Sequence, residues 1–457
     1  MKGDFSRFIY DERKNYSLLL TQQGRVQLDS DWNEQALLHW FGLQNLARDL
    51  IGEHGGPRND FGFEITPAET GGGTTAKLDF NIGRGRYYLQ GEMCRNMDSI
   101  RCTEQEAWPF PDTPPVMENG KKYLIYLHLW WRHITSLEDD QIREVALGGP
   151  DTTTRLQTVW QVKAVEIRSA VTAVPNLKTN YEEFARILAE HHIFANGTYR
   201  KVTGRLKARA LKPPKQDQPC ITSPQNRYRG AENQLYRVEI HRAGTACGVN
   251  ESAPDYPCAT FKWSRENGSV VFPIVELNEE KVTLEHLGRD DRFGLKVGEW
   301  VEMVDDHYEL QRRAEQLFKV VEIDPDRREV TLSDRPHYPL GLSRHPLLRR
   351  WDHAGQKQHQ GAIPVTEGEW IELEDGIQIQ FTSGENQENE PSWYQTGSWW
   401  WIPARNITGD VEWPQENGQP SAQHALDAGD RYAPLALLDP DSGNIIDYRR
   451  KFKKLWE

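Results

Sequence analysis

At 457 residues with 37% hydrophobic residues, 36 Gly and 26 Pro, the chain is long enough for roughly two to four domains with real interiors, and its turn density favours β architecture over helical bundles. A net charge of −13 excludes the dominant basic field that non-specific nucleic-acid binding requires. The longest apolar run, Tyr123 to Trp131, is broken by His128 and too short to span a bilayer, and the first residues carry no apolar signal segment, so cytoplasmic synthesis without a signal peptide is expected.

Residues 1–28 read as an extended arm. Its second half, Gln22-Gln23-Gly24-Arg25-Val26-Gln27-Leu28-Asp29, is too polar and specific for ordinary core and leads directly into a helix. Ser30 or Asp31 is placed to cap that helix, with Glu34 in its first turn. Trp32, Ala36, Leu37, Trp40, Leu43, Ala47, Leu50 and Ile51 recur at helical spacing, and Gly52 stops the run. Core packing is the first reading of this face, packing against another subunit the second.

Residues 58–170 read as β-structure, with strands at Tyr87-Tyr88-Leu89, Tyr123 to Trp131 and Val159 to Ala164. A short helix is predicted over about Tyr181 to His192, followed by a loop from Leu211 to Arg229. Tyr236, Val238 and Ile240 alternate with Arg237, Glu239 and His241, the pattern of a half-buried strand. Asn267-Gly268 is a turn signal. Gly298-Glu299-Trp300-Val301-Glu302-Met303 is echoed by Gly368-Glu369-Trp370-Ile371-Glu372-Leu373, and Phe318–Ile323 and Val330–Leu332 flank a turn as in small β-barrels. Arg344, Arg349, Arg350 and Lys357 read as a solvated loop, and the basic run Arg449 to Lys454 as a solvated terminus.

The fold class expected is mainly β with a few helices: several domains, β-sandwich and small β-barrel modules, and one long N-terminal helix. The blocks are 1–55 (docking arm and helix), 56–175 (β), 176–280 (mixed), 281–415 (barrel-like, with the Trp cluster) and 416–457 (tail).

Nothing in the chain has a catalytic spacing: there is no phosphate loop, no GxSxG and no HExxH. No catalytic residue, cofactor or metal is assigned. The five cysteines form no CxxC pair and read as free thiols. His337, His345, His353 and His359 match no ligand spacing, and Asp139-Asp140, Asp290-Asp291 and Asp305-Asp306 read as solvated turns. The candidate sites are interfaces. Gln22, Gln23, Arg25, Asp29, Asp31 and Trp32 are expected to be buried against another chain or domain. Of Trp399, Trp400 and Trp401, at least one must face away from the core, because neighbours on a strand point to opposite sides.

Blocks along the whole chain carry a resemblance. Among them are Asp11-Glu12-Arg13-Lys14-Asn15-Tyr16, Gln22 to Asp29, Asp31-Trp32-Asn33-Glu34-Gln35, Arg143 to Asp151, Tyr228 to Ile240, Phe261 to Ser269 and Trp401-Ile402-Pro403-Ala404-Arg405. Together they resemble an uncharacterised bacterial family encoded in gene clusters of phage-tail-like contractile injection systems. Asn15 stands where that pattern tends to have His, and Ser30 where it has Ala. The resemblance implies a structural, non-enzymatic particle component attached near the baseplate. Its partners would be other particle subunits, with homo-oligomerisation in the assembly, no nucleic acid, and membrane contact left open. Assembly would be cytoplasmic, with release as part of an extracellular particle. The alternatives are a receptor- or carbohydrate-binding fibre, with the Trp cluster as platform, and a polysaccharide or cell-wall hydrolase using paired carboxylates.

Overall fold

The computed structural model describes residues 1–8, 10–68, 79–106, 120–167, 180–192, 202–211, 227–247, 257–337, 341, 344–384 and 391–453. The protein is mainly β with a few helices, in three modules nested one inside another.

The outer module is built around the strand Lys122–Ile134, which pairs along its whole length with Arg155–Ile167 and on its other side with Arg431–Asp439. One face of this sheet packs on a second sheet of Lys451–Phe452, His54–Pro57, Gly85–Leu89 and Glu92–Asn96, burying Phe63, Phe80, Tyr87, Ile125, Leu127 and Leu435 between them. The opposite face is covered by α2 (Tyr181–His192), whose Phe184, Ile187 and Leu188 meet Leu124, Tyr126 and Leu437. Cover on both faces is why this strand reads as a nearly continuous apolar run, interrupted at His128, rather than an alternation.

The middle module is a sandwich. One sheet runs Ile363–Pro364, Thr260–Ser264, Gln234–Arg242, Trp399–Arg405 and Asp410–Val411; the other runs Ile371–Glu372, Ile377–Thr382, Arg205–Ala210 and Gln423–His424. Between them lie Tyr236, Val238, Phe261, Ile379, Phe381, Tyr394 and Trp400. Inserted into this sandwich is the inner module, a closed six-stranded barrel between Val271 and Trp351, filled by Phe272, Ile274, Val282, Val301, Val320, Val330 and Leu348.

The nesting corrects the sequential blocks. The barrel runs from Val271 to Trp351, across the 280/281 boundary, and Trp399, Trp400 and Trp401 lie on a sandwich strand instead. Residues 416–457 are not a tail: Arg431–Asp439 is a fully paired strand, Arg449 is buried against the Gly62 carbonyl (2.9 Å) and Asp447 (2.9 Å), and Lys451–Phe452 pairs in parallel with Gly56–Pro57. Arg349 and Arg350 are not in a solvated loop. They sit on the buried barrel strand Leu347–Trp351, donating to the carbonyls of Gly268 (2.8 Å) and Gly294 (2.6 Å) respectively. The echoed hexapeptides share a left-handed glycine, Gly298 and Gly368, but their strands belong to the barrel and the sandwich respectively. Cys247 and Cys258 form a disulfide, against the expectation of free thiols; Cys94 and Cys102 are free and buried, and burial pushes the Cys102 thiol up to about 12. Cys220 lies outside the described residues.

Helix α1 (Asp29–Ile51) lies on the outside of the outer module. Its start differs from expectation. Leu28 is the boundary residue, and Asp31 reaches back to accept from the Leu28 amide at 3.0 Å. Its midpoint sits tightly on the turn before Glu92: Gly91 has φ +82°, and a Cβ there would collide with the Gln44 carbonyl.

Candidate assembly surface and the charged junction

Where the three modules meet the first residues of the chain there is a cavity of about 450 Å³ lined by charge. The strand Gln234–Arg242 presents Arg237, Glu239 and His241 to it, all three buried. The polar side of this strand therefore faces other modules, not water as the alternation suggested. Glu239 takes Arg237 at 2.6 Å, Lys262 at 3.4 Å and Lys2 at 3.6 Å. From the barrel, Glu302 accepts from Lys262 (2.5 Å), the Tyr308 hydroxyl (2.8 Å) and the Trp351 indole (2.9 Å). Glu309 of α3 (Asp306–Gln311) meets Arg349 at 3.2 Å and Lys2 at 3.6 Å. The outer module adds Asp430, held by His128 (2.7 Å) and Arg312 (2.5 Å).

Burial alone would raise these carboxyls, but the cations around them win. Lys2, Arg237 and Lys262 hold Glu239 well below the usual range; Lys262 and Lys2 bring Glu302 to about 2, and Lys2 and Arg349 bring Glu309 to about 2. Burial also drives His128 and His241 down to about 3, so both are neutral near pH 7. The result is an ion lattice of paired carboxylates tying sandwich, barrel and outer module together.

The Trp cluster obeys strand alternation. Trp400 points into the sandwich core, edge-on to Phe381 at 5.9 Å, with its indole donating to the Gln423 carbonyl at 3.0 Å. Trp399 and Trp401 point the other way, and this chain covers both. The Arg237 guanidinium lies 4.3 Å from the Trp399 ring centre. Phe8 of the N-terminal arm stacks on Trp401 at 4.5 Å, while the Trp401 indole donates to Asn267 at 2.8 Å. The arm is locked here by its own backbone, with the carbonyls of Met1 and Gly3 accepting from Arg237 (3.0 Å) and Asn267 (2.9 Å).

The other candidate residues are in the open. Gln22, Gln23, Arg25 and Asp29 are exposed, Asp31 is half-buried, and Trp32 is 66% exposed. The expectation that this segment is buried against another part of the fold is thus corrected within the single chain. Asp29 has a defined partner in Ser6, whose amide donates at 2.9 Å and whose hydroxyl donates at 2.5 Å. Helix α1 uses one side on its own chain: Phe41 stacks on Tyr10 (4.2 Å), Trp40 meets Trp131 edge-on (4.6 Å) and Gln44 donates to the Gln90 carbonyl (3.3 Å). The other side carries Trp32, Ala36, His39, Leu43, Leu46 and Leu50, all exposed. The sequence reading merged these two sides into one face and passed over His39 and Leu46. The 4-3-4-3-4 spacing of the outer stripe would have separated them.

The acidic pairs divide. Asp139-Asp140 and Asp290-Asp291 are exposed turns, but Asp305 is buried as the cap of α3, accepting from the Tyr308 amide at 2.9 Å, and Asp306 pairs with Arg132 and with His345 (2.8 Å). His353 is buried and donates to the Gly361 carbonyl at 2.6 Å, so it and His345 serve separate partners. Among the described residues no group of three or more His, Cys, Asp or Glu is arranged to hold a metal, and no helix is long and apolar enough to cross a membrane.

No curated protein and no solved structure matches the chain. A family model does match, over residues 1–189 and 191–432, and with nearly the whole chain covered the protein belongs to DUF6519, described as a family of unknown function.

Proposed function

We propose that the protein is a structural component of a phage-tail-like contractile injection particle, associated with its baseplate and acting by assembly with other subunits, without turnover. One observation carries the assembly part: nine of the twenty exposed large hydrophobic side chains among the described residues fall between Tyr16 and Leu50, on the arm and α1. Apolar surface concentrated this way marks a docking site rather than scattered surface residues. The sequence resemblance supplies the particle. In this reading the chain is assembled in the cytoplasm and leaves it as part of a released particle.

The test is electron microscopy and protein content of particles purified with and without the gene. The protein should co-purify with the particles, and a defined density near the baseplate should vanish in its absence. Particles that never contain it, yet look and contract the same without it, would refute the proposal.

A further inference from the structure

We propose that the outer stripe of α1 docks on α1 of a second copy of this chain. The proposal deepens the assembly reading by naming a partner for its surface, and it rests on that reading for the role of the contact.

The first argument is period. Trp32, His39 and Leu46 stand seven residues apart, and so do Ala36, Leu43 and Leu50, two interleaved heptad rows along most of a 23-residue helix. Two such rows, alternating at spacings of four and three, form the seam that one helix presents to another in a coiled coil. A second α1 has that repeat by definition. The stripe also does not belong to the chain's own core, because α1 already uses Phe41, Trp40 and Gln44 there.

The second argument is charge. None of the six stripe residues is Asp, Glu, Lys or Arg, although the chain as a whole carries −13 and α1 places Asp29, Asp31, Glu34, Arg48 and Asp49 off the stripe. Two copies bring identical charges to an interface, so a self-facing stripe has to be free of them. Space is available too: a Cβ built on Gly42, next to Leu43, meets nothing within 4 Å.

The third argument is area. Leu43, Leu46 and Leu50 are 67%, 56% and 59% exposed, and Trp32 adds its indole. Those four present on the order of 500 Å² of apolar surface per chain, already as large as the greatest patch on a typical monomer. The arm extends it: the Leu19 amide donates to Gln35 on α1 at 2.9 Å, leaving Tyr16, Leu18 and Leu20 exposed alongside. With the arm included, the surface reaches the roughly 800 Å² per partner of a stable interface.

Sedimentation velocity on the full chain over a wide concentration range tests this, comparing wild type with Leu43→Glu/Leu46→Glu, with Trp32→Glu/Leu50→Glu, and with Ile407→Glu as a control at an exposed apolar site elsewhere. Wild type and control should dimerise alike. Both stripe variants should associate at least about 100-fold more weakly, since two large apolar residues of the stripe are charged in each. Their melting when monomeric should match wild type, which separates loss of contact from loss of fold. A wild type that stays monomeric, or stripe variants that dimerise normally, overturns the proposal. A monomeric wild type that enters particles, with stripe variants excluded, also overturns it and assigns the stripe to a different subunit, leaving the assembly reading intact. A dimeric wild type absent from particles does the reverse.

Discussion

The junction and α1 invert the usual distribution of polarity. The junction is deep and densely charged; α1 is peripheral and bears leucines and a tryptophan to solvent. The difference is explained by what each region has available. At the junction each carboxylate has cations or hydrogen-bond donors against it, some from its own module and some from another module or the arm, which offsets the cost of burying charge, and the geometry of those pairs fixes how the modules sit. On α1 the leucines and the tryptophan of the outer stripe stay exposed among the described residues. A buried ion lattice is a device for orientation more than for stability, whereas an uncovered apolar stripe stores free energy that only a partner can release.

That contrast can be broken most forcefully with acid. Glu302 and Glu309 have folded values near 2 against ~4.3 unfolded, so the stability they contribute is complete above ~4.3 and is lost as pH falls toward 2. His128 and His241, depressed to about 3 against ~6.5, act in the same direction from a higher start: the unfolded chain takes up their protons below ~6.5 while the folded one does not. Glu266, raised to about 7 chiefly by burial, runs the opposite way between ~4.3 and 7 and offsets part of the histidine effect. Melting temperature followed by circular dichroism should therefore decline gently below pH 6.5 and collapse below pH ~4.3. A melting curve independent of pH down to 3 would mean the junction charges are not paired as described.

A single substitution sharpens the same point. Glu302→Ala strands Lys262, the Tyr308 hydroxyl and the Trp351 indole, and should cost about 3–5 kcal/mol in denaturant unfolding. The two sides of the Trp strand give a finer comparison. Trp400→Ala removes a core ring and should cost roughly 3–5 kcal/mol. Trp401→Ala loses one stacking partner and one hydrogen bond, about 1–2 kcal/mol. Equal losses would show that the arm packs on Trp401 as tightly as the core packs on Trp400. At the small end, Leu43→Glu should move the stability of the monomer by no more than ~0.5 kcal/mol, because that side chain is exposed in the single chain.

Local pattern was legible in the sequence where local physics decides. Periodicity located α1, α2 and the strand Lys122–Ile134, and alternation correctly set Trp400 opposite Trp399 and Trp401. What failed was anything settled by distant partners. Arg349, Arg350 and Arg449 look like solvated charges until the carbonyls and carboxylates that receive them arrive from elsewhere in the chain. Arg237, Glu239 and His241 look like an exposed face because a strand's period cannot say whether its polar side meets water or a neighbouring module. The Trp cluster was expected to have an outward member needing cover; Phe8, nearly four hundred residues earlier, provides it for Trp401. The nested order of modules is likewise invisible to any window shorter than the chain.

That nesting dictates a schedule for synthesis. The barrel is one continuous stretch and is complete once Trp351 has emerged, while the sandwich around it waits for the strands up to His424. The outer module begins first and closes last. Lys122–Ile134 is available early and pairs with Arg155–Ile167, but its other edge stays open until Arg431–Asp439 has been made. At ~5–20 residues per second that interval lasts on the order of 15–60 s. Throughout it, a long apolar strand edge stands unpaired, the kind of template on which chains misassemble. Nascent chains of this protein should therefore be marked clients of ribosome-associated chaperones, with the open edge of the first-made sheet as the bound segment.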